Sequence, residues 1–189
     1  VLIYNPVAGA DRSLRLQQIQ QICELLERNG HSATAIATTA AGSAADQARA
    51  AIAAGCDCLF ACGGDGTVHD VLQGIVAAAT AGRPPAILGV IPMGSANALA
   101  RHLRLSMSPI EAARQQLTFP PRLISVGLIE CGGHRRPFTV MAGAGDAAEE
   151  AAEIVDAQAH GTDGAEGVSC AGTGVDELHV EGREPVGEE

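Results

Sequence analysis

Hydrophobic positions follow two rhythms over the first 118 residues or so of this chain. Short, nearly continuous apolar runs occur at Val1 to Asn5, Cys58 to Cys62 and Ala86 to Ile91, and His31 to Ala37 alternates and is rich in β-formers. Each predicts a strand, and the runs at 58–62 and 86–91 have the pattern of strands buried on both faces. Between the first two, Leu16, Ile19, Ile22, Cys23 and Leu26 recur at helical spacing, and Asn29-Gly30 supplies a stop. Ser43-Ala44-Ala45-Asp46 has the form of a capping box and predicts a helix to about Ala54, ended by Gly55. A second box, Thr67-Val68-His69-Asp70, opens a helix with Val71, Leu72, Ile75 and Val76 inside. Pro92-Met93-Gly94-Ser95 turns into a short helix over 96–102. A third box, Ser108-Pro109-Ile110-Glu111, places Pro where its missing N–H costs nothing, and its helix runs to about Leu117.

Strands alternating with helices predict an α/β fold over residues 1–120: a doubly wound parallel sheet, a Rossmann-like nucleotide-binding domain. Ligands of such sheets bind beyond the carboxyl ends of the strands. Three turns fall there: Asn5 to Gly9, Gly63 to Thr67, and Pro92 to Asn97. From Arg122 the rhythm changes. Leu123 to Cys131 and Pro137 to Ala142 read as two strands joined by Gly132-Gly133, a hairpin with no helix between. Residues 121–146 are therefore expected to be the start of an incomplete antiparallel β domain. Residues 147–189 are Ala, Gly and acid with few large apolar side chains, and are expected to form an acidic, disordered tail.

Charge sharpens that division. Residues 1–145 hold eleven Arg and nine acids, 11 − 9 = +2, while residues 146–189 hold one Arg and thirteen acids, 1 − 13 = −12. The formal charge of −10 thus belongs to the C-terminal stretch, and it argues against a nucleic-acid partner. All twelve basic residues are Arg. The absence of Lys excludes a Walker-type P-loop, so a phosphate site must rely on backbone N–H groups, helix N-termini, Arg or a metal. Aromatic residues make up only 2%, so the core must be built from Ala, Val, Leu and Ile.

Cysteine occupies positions 23, 56, 58, 62, 131 and 170. Cys56, Cys58 and Cys62 share one parity and are expected along one strand face, with no paired zinc-type spacing. They read as small buried thiols, and no metal ligand is assigned. A reducing cytoplasm is the expected compartment. No apolar run approaches the ~20 residues needed to cross a bilayer, so contact with a membrane would be peripheral.

The glycine turns carry the candidate chemistry. Gly63-Gly64-Asp65-Gly66-Thr67 follows a buried strand and precedes a helix. Its glycines permit close approach of a phosphate to the backbone, and the helix N-terminus supplies N–H groups. An acid beside phosphates has a use if it holds Mg²⁺ or accepts a proton from an attacking hydroxyl; the plainer alternative is a tight turn with Asp65 at its tip. Ser95 either caps its helix or reaches a phosphate, to which Asn97 could also donate. Asn5-Pro6 is explained by an Asx turn without any ligand. The six His show no metal-ligand spacing, and only His69 lies in the first turn after the glycine loop.

Together these turns resemble the catalytic domain of the diacylglycerol kinase and sphingosine kinase family of lipid kinases. The matching segments are Asn5-Pro6-Val7-Ala8-Gly9, Gly63 to Thr67 followed by His69-Asp70-Val71, Pro92-Met93-Gly94-Ser95-Ala96-Asn97, and Phe138 to Asp146. Thr38 fits a nucleotide-contacting Thr at the end of the second strand. The resemblance implies ATP, with Mg²⁺, bound by Asn5, Pro6, Gly9, Thr38, Gly63, Gly64, Asp65, Gly66, Thr67, Gly94, Ser95 and Asn97. It implies γ-phosphoryl transfer to the hydroxyl of a lipid at a membrane surface, with Asp65 as the catalytic residue, orienting the phosphates or serving as the base. Two departures stand out. Most members have Asp where this chain has Ala98, which is expected to weaken the following helix start by about 1 kcal/mol or less. The family's second domain is nearly absent from the sequence. A nucleotide-binding remnant without turnover, and a kinase for a soluble substrate such as NAD, remain the alternatives. Exposed apolar edges on the 123–142 hairpin are expected to favour association with a second copy.

Overall fold

The computed structural model describes residues 1–7, 12–84, 86–131, 134–139, 141–142, 152–153 and 176–181. In chain order these form β1 (Leu2–Tyr4), α1 (Arg12–Arg28), β2 (Ala35–Ala37), α2 (Ser43–Ala53), β3 (Cys58–Gly63), α3 (Asp65–Thr80) and β4 (Ile87–Pro92). There follow α4 (Ala98–His102), α5 (Pro109–Thr118), β5 (Pro121–Cys131) and β6 (His134–Phe138). Next come β7 (Met141–Ala142) and β8 (Ala152–Glu153), which pair with each other, and β9 (Asp176–Glu181).

The order β2-β1-β3-β4 is parallel throughout, as βαβ connections require. Period-2 alternation sends neighbouring residues to opposite faces. Leu2, Phe60, Cys62 and Ile91 pack with Ile19, Ile22 and Leu26 of α1 and Ala113 of α5. Ile3, Leu59, Ala61, Leu88 and Val90 pack on the other face, with Ala48 of α2 and Val71, Leu72 and Ile75 of α3. Helices therefore cover both faces, and the predicted doubly wound sheet is present. Small residues bring α2 and α3 together: a Cβ on Gly74 would lie 2.7 Å from the Ala48 Cβ.

Beyond β4 the sheet continues as β9-β5-β6. β9 runs parallel to β4, with Leu88 opposite Val180, and antiparallel to β5, from Pro121 opposite Glu181 to Val126 opposite Asp176. A strand from the acidic stretch thus joins the parallel and antiparallel parts. The predicted hairpin forms, but its second strand is shifted: β6 ends at Phe138, and Met141–Ala142 belongs to β7. Gly132-Gly133 lies outside the described residues. Where β9 reaches only Leu88 of β4, Gln116 of α5 takes over. Its fully buried amide accepts from Val90 N–H (2.8 Å) and donates to the carbonyls of Val90 and Ala112 (both 2.9 Å).

Several local expectations are corrected. The buried stripe of α1 is Arg15, Ile19, Ile22, Leu26, whereas Leu16 is 44% exposed. The 4-3-4 spacing of that stripe admits Arg15 and rotates Leu16 outward. None of the three capping boxes forms its side-chain cap. α2 is capped by Gly42 in the left-handed region (φ 78°), and the Ser43 hydroxyl instead accepts from the Thr39 and Ala40 N–H groups. α3 starts two residues before Thr67, at Asp65, because the glycine turn feeds directly into it. Cys56 precedes β3 and packs on the opposite face from Cys58 and Cys62.

Candidate functional site

Parallel pairing places the carboxyl ends of β1 to β4 side by side, and backbone hydrogen bonds lace the turns that follow them. Thr38 N–H donates to the Tyr4 carbonyl (2.8 Å), Asn5 N–H to Cys62 (3.2 Å) and Met93 N–H to Gly63 (2.9 Å). Asn5, Pro6, Thr38, Gly63 to Thr67, and Gly94 to Asn97 therefore share one edge of the sheet. Gly9 lies outside the described residues, as does the stretch 143–146.

The two glycine turns touch. An added Cβ on Gly64 would come within 3.2 Å of the Gly94 Cα, and one on Gly94 would run into the Gly64 Cα. Only two glycines allow this backbone contact. Gly63 is likewise closed in by the Thr67 side chain, which is itself buried. Gly66 differs: nothing lies within 4 Å of where its Cβ would stand. The turn is tight on its inner side and open at Gly66.

Asp65 bridges the two turns. Its exposed carboxylate accepts from the backbone N–H of Asn97 (3.0 Å) and of Ala98 (2.6 Å), one on each oxygen. These groups open α4, so the acid absent at position 98 is supplied from α3 across the gap. The expected weakness of that helix start is corrected accordingly: a carboxylate on orphan N–H groups satisfies both their hydrogen bonding and the local dipole. A carboxylate has about four lone-pair directions, so two remain for another partner.

Asn97, not Ser95, braces the second turn. It adopts φ 52°, ψ 49°, which Asn tolerates better than most residues. Its side chain accepts from Gly94 N–H (2.9 Å) and donates to the Gly94 carbonyl (2.8 Å), closing the turn on itself. Asn97 rather than Ser95 is the N-cap residue, and Ser95 is exposed. Asn5 makes the expected Asx turn, accepting from Val7 N–H (2.9 Å).

Two residues on this edge had been given no site role from the sequence. Asp70 of α3 accepts from Gly42 N–H (3.1 Å), tethering the turn that follows Thr38. Arg15 is 5% exposed, and its guanidinium donates to the Pro6 carbonyl (2.9 Å). The signal for Arg15 was its place on the stripe with Ile19 and Ile22. Beneath the loop, burial pushes the Cys62 thiol well above its ordinary pKa, and Cys23 is raised too, first by burial and then by Glu27. Both behave as small hydrophobes. Among the described residues no group of three His, Cys, Asp or Glu is placed to hold a metal.

At the opposite edge of the sheet a cavity of about 970 Å³ opens beside Val1, His31, Cys56, Asp57 and Ile87. None of the glycine turns lines it.

Residues 1–129 match the family model described as the diacylglycerol kinase catalytic domain. The chain belongs to that family. The kinase-family match covers β1 to β4 and most of β5. The chain is 36% identical over 118 residues to a Chromohalobacter salexigens protein named "Probable lipid kinase YegS-like", covering 62% of this chain and 37% of that one. It is 35% identical over 129 residues to the diacylglycerol kinase of Bacillus subtilis, covering 68% and 41% respectively. A solved diacylglycerol kinase structure from Bacillus anthracis shares the fold, with TM-score 0.59, 24% identity, and 71% and 43% coverage. This kinase-family chain thus spans about two fifths of the length of such relatives.

Proposed function

We propose that this chain carries the ATP-binding part of a lipid kinase, which moves the γ-phosphoryl group of ATP onto a lipid hydroxyl. The observation that carries this reading is the convergence of two glycine turns on one carboxylate, Asp65, at the carboxyl edge of a family-matched sheet.

The residues fit a phosphate chain. Gly64 and Gly94 leave a surface without side chains, and Gly66 faces open space where a phosphate can approach the backbone. The first turn of α3 adds N–H groups and the positive end of its dipole. Asn5, Pro6, Thr38 and Ser95 flank this surface, and Gly9 is assigned by its motif. With no three ligating side chains together among the described residues, Mg²⁺ belongs to the proposal as the companion of the nucleotide's phosphates, where it neutralises their charge.

In the transfer, the acceptor hydroxyl oxygen bonds to the γ-phosphorus as the bond to the β–γ bridging oxygen breaks. ADP leaves, and the hydroxyl proton passes to a free lone pair of Asp65. Its two backbone hydrogen bonds hold that carboxylate in place, so positioning is built in before substrate arrives. The acceptor is a lipid such as diacylglycerol or sphingosine, met at a membrane surface. Among the described residues no helix is long and apolar enough to cross one. The alternatives, nucleotide binding without turnover and a soluble acceptor such as NAD, are outcomes of the same assay. Labelled phosphate from γ-labelled ATP should appear in diacylglycerol or sphingosine presented in vesicles, and not in NAD. Tight ATP binding with no labelled lipid would leave the binding-only reading in its place.

A further inference from the structure

Arg15 breaks the pattern of its own helix. It occupies a position on the buried stripe of α1 that Ile19, Ile22 and Leu26 continue, and it is 5% exposed. α1 runs back along the sheet from the turn after β1, so its first turns stand at the carboxyl edge. There the guanidinium donates to the Pro6 carbonyl at 2.9 Å. Pro6 follows Asn5, whose N–H bonds to Cys62, the residue before Gly63. The cation is thus two contacts from the glycine loop. A guanidinium has five donors, and the Pro6 carbonyl takes one. Among the described residues no carboxylate pairs with it. Burying a cation is costly unless an anion meets it, and a helix stripe offers many apolar residues that would avoid the cost.

We propose that Arg15 is an anion-binding residue of the nucleotide site, its guanidinium placed to receive a phosphate of the nucleotide beside the Asn5-Pro6 turn. In a chain without Lys, Arg is the only side chain that carries a permanent positive charge, and its planar fork suits two phosphate oxygens. The inference rests on the nucleotide-binding reading above, and it adds a residue which that reading did not contain.

The test is calorimetric titration of the full chain with ATP and, separately, adenosine, for wild type, Arg15→Gln and Arg15→Lys. Thermal melts of each variant report folding. Arg15→Gln should weaken ATP about 10- to 100-fold, the worth of hydrogen bonds to a charged group, and leave adenosine within about twofold. Arg15→Lys should recover part of the loss. Equal losses for ATP and adenosine, or an unchanged ATP affinity, would overturn the inference while leaving the nucleotide site standing. Failure of wild type to bind ATP would overturn both. If the variants do not fold, the side-chain N–H resonances of Arg15 in wild type decide it: tripolyphosphate should shift them, and an unmoved signal overturns the proposal.

Discussion

The two glycine turns each follow a buried strand and open a helix, and they differ in how they are held. Gly63 to Thr67 runs straight into α3, whose sixteen residues pack on the core through Val68, Val71, Leu72 and Ile75. Its conformation is secured by the helix behind it. Gly94 to Asn97 leads into α4, only five residues long, and is held by side chains: Asn97 from within and Asp65 from the first turn. One turn is a rigid platform and the other is fastened to it. Asp65 is therefore both the proton acceptor of the proposed chemistry and the clasp between the two turns.

The largest expected effect follows from that double role. Asp65→Ala should lower phosphoryl transfer by about 10³-fold or more. It should also cost about 1 kcal/mol of stability by uncapping the two N–H groups that open α4, read as a lower melting temperature. Lost transfer with an unchanged melt would break the clasp account, and full transfer would remove Asp65 from the chemistry. Next comes the backbone contact. Gly94→Ala places a methyl against Gly64 and should cost about 1–3 kcal/mol, with weaker ATP binding, whereas Gly66→Ala has room and should change stability by less than about 0.5 kcal/mol. Equal effects at both positions, in paired denaturation curves, would contradict the packing. Asn97→Ala should cost about 1 kcal/mol by removing both bonds to Gly94 and the residue suited to φ 52°. A smaller response is expected of Ser95→Ala, which should melt like wild type and alter only nucleotide affinity.

Much of the fold was legible because strand and helix periods differ and each run is long enough to show its own. Four parallel strands, the helices between them and the convergence of turns at one edge follow from that rhythm. The capping boxes misled because Ser43 and Thr67 lie beside glycines, and backbone geometry at Gly42 and Gly64 set the helix starts instead. Leu16 was read onto the stripe where Arg15 stands because hydrophobicity was weighed above spacing. Among the site residues, Asn5 and Asp65 were visible through local motifs. The Asp65 clasp was not, since it spans 32 positions to Asn97 and depends on two backbones meeting at Gly64 and Gly94. β9 was missed for a similar reason. Its six residues carry acids on both sides of an apolar pair, and only pairing to β4 and β5 makes them a strand.

The central claim is that nucleotide binds at the carboxyl edge, against the two clasped turns. Amide NMR shifts during titration with Mg-ATP test it most directly, because the large cavity lies at the other edge. The predicted result is shifts concentrated at Asn5, Thr38, Gly63 to Thr67 and Gly94 to Ala98. Shifts gathered instead around His31, Cys56 and Asp57, or no shifts at saturating ATP, would contradict it.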